Sequence, residues 1–377
     1  MAVTTIQSNN KLLKFTQEIG REFVRGNLFS PYMGEDATSI IRRRMELKSG
    51  GEQMNIPLVT RLTGAGVSTG TLVGNEEQID NYGMRVWLDW ARHAVVSNRA
   101  EAQKDSADIF GEAKPLLEDW IKELNRDELI AALMALPSES QPSAGVRVNG
   151  IQYDLATVGQ RNTWNSDNSD RVVYGSVAFN ATHTTALNSV TSTTVDRLTA
   201  ANVSRMKRVA SLSNPRIRPY KTRDGYEYYV MFAGTNSFRD LKTSLETVNK
   251  DARPREASGL PNPIFQDGDQ IYDGVIVRMV PEISSFVSNV WTTLKTAGAN
   301  STRVEPVFLC GQQAAAFAIG QMPKPTFRKE DDYGFITGTG VETAYGVAKM
   351  FKKHPSTGSK LVQWGTATGF VYAPADI

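Results

Sequence analysis

The clearest pattern in the chain is an alternation. Met54, Ile56, Leu58 and Leu62 fall on one side of a segment whose other side carries Asn55, Pro57 and Arg61. A return segment sets Met84, Val86, Leu88, Trp90, Ala94 and Val96 against Arg85, Asp89 and His93. A period of two predicts a half-buried antiparallel pair. The connection, residues 63–83, is far too long for a tight hairpin turn, so the ribbon carries a long, polar, Gly-rich tip. A two-stranded ribbon with one apolar face is marginal alone in water. That face needs a cover, and another copy of the same chain is the expected one. Without its neighbour the ribbon is expected to be mobile.

From residue 100 onward the period changes to 3.6. Ile109, Ala113, Leu116, Leu117, Trp120, Ile121 and Leu124 form one stripe, which predicts a long helix within 98–136. Pro115 lacks a backbone donor and crowds the turn before it, so a kink or restart is expected at 111–114. Asn125, with Glu128 three residues on, offers a second restart. A straight helix over this span would reach roughly 57 Å at about 1.5 Å per residue, enough to cross the molecule. Upstream, Leu12, Phe15, Ile19 and Phe23 predict a helix over 10–25, and Ile40, Ile41 and Met45 another over 36–47. Downstream, 137–150 reads as a linker and 151–199 as polar loops with a short strand at 172–179. Helices are predicted at 199–211, at 237–247 and, from its small residues, at 312–320. Strands are predicted at 226–232, 275–280, 304–310, 343–351 and 366–372, with a long loop over 250–269. Helices and strands mix without steady alternation, which predicts an α+β fold.

At 377 residues the chain has room for two or three cores. Its 40% hydrophobic and 22% charged residues are those of an ordinary globular protein. A formal net charge of +2 excludes a strong global field directed at nucleic acid or membrane. Cys310 is the single cysteine, so intramolecular disulfides and four-thiolate zinc sites are excluded. In its apolar segment it is expected to be a small buried hydrophobe. Residues 1–15 lack the apolar run of a signal peptide, and no window approaches the roughly 20 apolar residues that span a bilayer. No membrane partner is expected. The Asn-x-Ser/Thr triplets at Asn180, Asn202 and Asn300 therefore carry no weight.

Catalytic patterns are few. Gly66-Val67-Ser68-Thr69-Gly70 matches a nucleophile elbow, but that motif needs a strand before the serine and a helix after it. Here the extended character continues through 71–73. The same glycines lack the Gly-Lys-Ser/Thr of a phosphate loop. His93, His183 and His354 have no zinc spacing and read as structural or surface residues. Glu76-Glu77 and Asp331-Asp332 are adjacent pairs, whose side chains point to opposite sides of an extended segment and make poor metal sites. No cofactor or metal is expected. Arg42, Arg43 and Arg44 form the densest basic cluster, read as a solvated or intersubunit face or as a phosphate contact. The absence of a catalytic constellation points to an assembly or binding role, with a hydrolase built on Ser68 as the rival.

Several blocks of this chain carry a family likeness. They include Tyr32-Met33-Gly34, Ile40-Ile41-Arg42-Arg43, Ile56-Pro57-Leu58 and Leu62-Thr63-Gly64-Ala65-Gly66-Val67. Leu72-Val73-Gly74-Asn75-Glu76-Glu77 and Arg92-His93-Ala94-Val95 follow, then Glu112-Ala113-Lys114-Pro115-Leu116-Leu117-Glu118-Asp119-Trp120. Later blocks are Tyr229-Val230-Met231-Phe232, Phe238-Arg239-Asp240-Leu241-Lys242, Asp273-Gly274-Val275, Leu309-Cys310-Gly311-Gln312-Gln313-Ala314 and Asp331-Asp332-Tyr333-Gly334. Together these blocks resemble the major capsid proteins of tailed bacteriophages; the likeness spans about residues 30–353, and its specific branch is that of the N-four-type podoviruses and many prophages.

The resemblance implies the Hong Kong phage-type fold. Its parts would be an N-terminal arm (1–48), an extended hairpin loop (49–98), a spine helix with peripheral domain (99–225), a mainly axial domain (226–353) and a returning C-terminal strand (354–377). It implies hexamers and pentamers of the chain, closed into an icosahedral head around double-stranded DNA and assembled in the bacterial host cytoplasm. Scaffolding, portal and decoration proteins would be further partners. Met54, Ile56, Leu58, Leu62, Glu76, Glu77, Met84, Val86, Leu88 and Trp90 would then be intersubunit contacts. Arg42, Arg43 and Arg44 would be candidate DNA or intersubunit contacts, loose and salt-sensitive. A cellular nanocompartment of the same fold is a second rival. The chain is expected to use a separate scaffolding protein or to assemble by itself.

Some members of that family weld their shells by an isopeptide bond from a hairpin lysine. No lysine occurs between Lys48 and Lys104 in this chain, so no such bond can start from the ribbon. Mature particles are expected to give a single monomer band on a denaturing gel, and a covalent ladder of subunits would overturn this.

Overall fold

The computed structural model describes residues 26–45, 52–64, 66–104, 109–221, 225–252, 270–328, 333, 335–354 and 359–376. The helix expected at 10–25, most of the loop at 250–269, and Asp331 and Asp332 lie outside the described residues. The first strands are β1 (Met33–Gly34), β2 (Ile41–Arg44), β3 (Gln53–Val59), β4 (Asn81–Trp87) and β5 (Asp89–Asn98). Helices α1 (Arg99–Lys104) and α2 (Ala113–Met134) follow, then β6 (Val148–Asn149), α3 (Val158–Asp167), β7 (Val172–Tyr174), α4 (His183–Asn188) and α5 (Ala200–Leu212). Next come β8 (Tyr220–Lys221), β9 (Glu227–Ala233), α6 (Thr235–Ala252), β10 (Gln270–Tyr272), β11 (Val275–Met279) and α7 (Pro281–Asn289). The chain closes with β12 (Val304–Cys310), β13 (Ala315–Arg328), β14 (Ile336–Lys349), β15 (Phe351–Lys353), β16 (Leu361–Gln363) and β17 (Thr366–Tyr372).

Two sheets organise the molecule. The six-stranded sheet runs β1-β2-β13-β14-β5, with β6 beside β14. The seven-stranded sheet runs β10-β11-β9-β12-β17-β7, with β8 on β9. Helices α5 and α6 cover one face of the second sheet through Val203, Met206, Ala210, Leu241 and Leu245. Its other face, with Val230, Phe232, Phe308 and Phe370, joins a core shared with the first sheet and the second half of α2. The mixed α+β class expected from the sequence is the class observed. The sequence divisions at 225 and 353 do not follow the sheets, because β13 and β14 lie inside 226–353 yet pair with β5 and β2.

Helix α2 begins where Pro115 allows. A short 3₁₀ turn at Ile109–Glu112 precedes it, and Pro115 falls in its first turn, where its missing N–H has no helical partner to lose. The expected restart at Asn125 does not occur, since the helix is continuous over 22 residues. Leu117 and Ile121 bury against Val341 of β14. Further along, Arg126 pairs with Glu282 of α7 at 3.3 Å and so ties the helix to the second sheet's flank.

Three sequence expectations are corrected. Residues 312–320 are not a helix but the start of β13. Ala315, Phe317 and Ile319 enter the main core, while Ala316 and Ala318 face the β3–β4 ribbon. Both faces are buried, so the period-two signal vanishes. The described part of the helix expected at 36–47, residues 36–45, is not helical either, because Ile41–Arg44 pairs in parallel with both β1 and β13. Third, 84–96 is not one strand. β4 stays in the ribbon, whereas β5 pairs antiparallel with β14 along its whole length. The buried phase shifts by one residue between them, from Met84 and Val86 to Ala91, with the His93 ring tilted against Trp120 at 4.8 Å between centroids. Trp90, Ala94 and Val96 therefore face outward. Asn149 stabilises the corner, since its amide donates to the Trp87 carbonyl and accepts the Trp87 N–H.

The polar stretch 151–199, expected to be loops with a short strand, contains the two helices α3 and α4. Thr157 and Gln160 form a reciprocal capping box at the start of α3, a spacing visible in the sequence. Helix α4 carries His183 into a buried chain of hydrogen bonds. The Tyr174 hydroxyl donates to Asn165 Oδ1 at 2.7 Å, so it accepts from His183 Nδ1 at 2.6 Å. The other ring nitrogen then accepts from Tyr153 at 2.9 Å. Burial, aided by Arg161, holds this imidazole down at about 3. Trp164 separates His183 from a second buried base, Lys349, whose Nζ lies 5.4 Å from the indole centroid. Burial holds that amine at about 7.

Both bases titrate lower in the folded chain than in the unfolded one, so the unfolded chain binds more protons. Stability therefore rises with pH between about 3 and 6.5 through His183, and between about 7 and 10.5 through Lys349. Each unit within a window contributes at most about 1.4 kcal/mol. The urea midpoint of the unassembled chain is expected to fall from pH 6.5 to 4, less steeply in His183→Gln. Identical pH slopes in the two proteins would show that the imidazole is not held neutral.

Candidate functional site

The ribbon forms because its cross-strand pairs put large apolar residues together. Met54 faces Val86, Ile56 faces Met84 and Leu58 faces Tyr82. Pro57 is tolerated because, among the described residues, β3 pairs with β4 alone. Met54, Ile56, Leu58, Met84 and Val86 are nevertheless fully buried within the single chain. They lie on Ala316, Ala318, Ala348, Met350 and Phe351, with Leu88 partly buried beside them. Small residues on the sheet let the ribbon approach closely. At Gly346 a Cβ would run into the Trp87 carbonyl oxygen. The expectation that these five residues await another copy is corrected: the chain's own sheet covers them.

The ribbon's outer end is different. Thr60 and Asp80 close the strands, with Thr60 N donating to Asp80 O at 3.1 Å and Thr60 Oγ1 to Asp80 Oδ2 at 2.9 Å. Lys352, buried on β15, reaches up to the same Asp80 carboxylate and pins the ribbon to the body. Together these contacts hold the Asp80 carboxyl below its usual range, against the opposing effect of burial. Beyond this point the tip leaves the body. Glu77 accepts from Thr63 N at 2.7 Å, Thr63 Oγ1 at 3.0 Å and Gly64 N at 2.6 Å. These amide bonds hold the Glu77 carboxyl low and staple the two sides of the tip. Glu76 accepts from Gly74 N at 2.7 Å. Gly66, Gly70 and Gly74 take positive φ, which glycine alone adopts freely. Ser68 stands exposed between two of them, and the chain runs to β4 without a helix, so the elbow context is absent.

Among the polar residues that the tip shows to solvent stand four large apolar ones. Leu62, Leu72, Val73 and Ile79 are 61–82% exposed. Leu62 is thus not part of the buried ribbon face that its spacing suggested. Trp90 is half exposed on β5, beside a cleft of about 750 Å³ between the ribbon's base and residues 141–146. Arg42, Arg43 and Arg44 sit inside the sheet on β2, where successive side chains alternate sides. They do not make one basic patch, and Arg43 pairs with Glu35 at 3.2 Å.

The structure also brings together residues the sequence reading passed over. Arg61 near the tip meets Arg216, Arg218 and Trp364 across a second cleft of about 420 Å³. More than 140 positions separate Arg61 from the others, and no local spacing signals the meeting. Among the described residues no group of three His, Cys, Asp or Glu could hold a metal, and no helix is long and apolar enough to cross a membrane. Cys310 is buried and free, as expected, and burial pushes its thiol up.

No curated protein matches the chain in sequence. Among solved structures, the capsid of cyanophage Pam1 is similar at 33% identity and a TM-score of 0.84, with 100% of both chains covered. The capsid of Ralstonia phage GP4 is similar at 18% identity and a TM-score of 0.71, again with 100% of both covered. The head of Helicobacter pylori bacteriophage KHP40 gives 13% identity and a TM-score of 0.64, with 97% of this chain and 96% of that one covered. These last two show the fold alone, and it is the Hong Kong phage-type capsid fold expected from the resemblance. The family of phage capsid proteins matches over residues 3–373, nearly the full length, and the chain belongs to it.

Proposed function

We propose that the chain, as the major capsid protein of a tailed phage, closes into an icosahedral head of hexamers and pentamers around double-stranded DNA. The single observation that carries the intersubunit part is the uncovered tip. A stapled loop that holds Leu62, Leu72, Val73 and Ile79 in water is a surface awaiting an apolar partner. In a shell of identical subunits that partner is another copy, so the role first read for the whole ribbon falls to its outer half. Glu76 and Glu77 shape this contact by fixing the tip. Trp90 and Leu88 border the cleft at the ribbon's base and stand as a second candidate contact. Arg42, Arg43 and Arg44, split between the two sides of β2, would give DNA or a neighbour at most scattered charge. Scaffolding, portal and decoration proteins complete the assembly in the host cytoplasm.

The division into N-terminal arm, hairpin, peripheral and axial parts is carried forward with one amendment. β13 and β14 join α2 and β5 in the peripheral part, and the seven-stranded sheet forms the axial one. The family's role is structural, and the chain around Ser68 lacks the strand-to-helix turn that a nucleophile elbow needs.

Electron microscopy of particles formed by the purified chain, with its head partners added where needed, is expected to show closed shells of uniform size. A chain that stays monomeric under all these conditions would contradict the proposal. Leu72→Asp with Val73→Asp is expected to abolish particles while changing monomer stability by less than about 0.5 kcal/mol, since both side chains are exposed. Normal particle yield from this variant would remove the tip from the contact.

A further inference from the structure

The cleft between the tip and the seven-stranded sheet holds an excess of positive charge. Arg61 lines it from the foot of the tip, and Arg216 and Arg218 line it from the connection between α5 and β8. Its two carboxylates are engaged elsewhere, Glu77 by the amides of Thr63 and Gly64 and Asp80 by Lys352 and Thr60. All three arginines are exposed. Among the described residues their guanidinium groups form no ion pair or hydrogen bond.

The connection is built to hold its two arginines outward. The Pro215 carbonyl accepts from Arg171 Nη2 at 3.3 Å and that of Ile217 from the Tyr229 hydroxyl at 3.0 Å. The Arg218 carbonyl accepts from Gln312 N at 2.7 Å and that of Pro219 from Gln312 Nε2 at 2.9 Å. Ile217 is buried and anchors the segment in the core that α5 covers. Pro219 restricts the residue before it to extended backbone. Alternation then places Arg216 and Arg218 on the side away from Ile217, about 6.6 Å apart along the chain. The same two arginines border a neighbouring cleft of about 470 Å³, where Lys221 is already paired with Glu227 at 2.9 Å. The segment is thus a ridge between two clefts, with its donors fixed before any ligand arrives.

Guanidinium forks match phosphate oxygens two at a time. One small anion would occupy only one fork. Three forks, two of them at a strand-like repeat, fit an anion that itself repeats along a chain. Half-buried Trp364 beside them is an apolar wall that strengthens the attraction. We propose that Arg61, Arg216 and Arg218 bind the backbone phosphates of double-stranded DNA, independent of base sequence. The proposal rests on the reading of the chain as a shell around DNA. It gives that shell a phosphate-binding surface that Arg42, Arg43 and Arg44, split between the two sides of β2, do not form. With so few contacts the hold is weak and falls steeply with salt. A carboxylate-bearing protein segment is the rival occupant.

The test is binding of the full-length, unassembled chain to a short duplex of random sequence, followed from low to moderate salt. Arg216→Gln with Arg218→Gln is expected to lower the low-salt affinity at least about tenfold. It should also flatten the slope of log affinity against log salt by about 2, at an unchanged melting temperature. Arg216→Lys with Arg218→Lys should keep the slope. Lys242→Gln with Lys295→Gln removes the same charge from exposed positions elsewhere and should change the slope by less than half as much. A wild-type chain that binds no duplex at low salt, an Arg→Gln variant with the wild-type slope, or a Lys→Gln variant that loses as much would each overturn the proposal. Arg→Gln variants that bind duplex normally and fail to form particles would assign the cleft to a protein segment and overturn it as well. Wild type that never forms particles, with duplex binding lost in the Arg→Gln variant alone, would sink the shell reading and leave the phosphate site standing.

Discussion

A two-stranded ribbon cannot hold its apolar face in water, and β3–β4 is covered in two different ways along its length. The base lies on a stripe of alanines and Gly346 in the chain's own six-stranded sheet. The outer end passes the Asp80–Lys352 ion pair and runs beyond the body with its large apolar side chains uncovered. Burial of each such side chain contributes about 1.5–3 kcal/mol. The base is therefore part of the fold, and the proposed contact with another copy falls to the tip.

This split accounts for several features at once. The sheet must present small residues toward the ribbon, and Ala316 and Ala318 of β13 and Ala348 of β14 supply them. The tip must keep a defined shape without a core, and it does so with backbone amides gathered on Glu77 and glycines at positive φ. The corner between β4 and β5 must shift the buried phase by one residue, and Asn149 supplies the hydrogen bonds that the turning strand loses at Trp87. Helix α2 then packs on the shifted face and connects it to the second sheet through Arg126 and Glu282.

Much of this was legible in the sequence. Alternation found the ribbon, the 3.6-residue stripe found α2, and Pro115 marked its start. The family likeness of the Ile56-Pro57-Leu58 and Leu72–Glu77 blocks supplied the architecture. What misled was symmetry of burial. Ala315 to Ile319 is covered on both faces, so its period disappears and the small residues imitate a helix. The ribbon's apolar face was correctly seen, but its cover could not be, because the covering alanines lie more than 200 positions away in sequence. The arginine cleft escaped for the same reason: its members meet through tertiary packing and share no local pattern. Local signals such as the Thr157–Gln160 box were present and sufficed for α3.

Hydrogen exchange along the ribbon, compared between unassembled chain and closed particles, addresses the division most directly. Amides of 54–58 and 84–86 should be protected in both states, while those of 62–79 should exchange quickly in the free chain and slowly in the particle. A free chain in which the base exchanges as fast as the tip, or a particle in which the tip stays as open as before, would contradict the account.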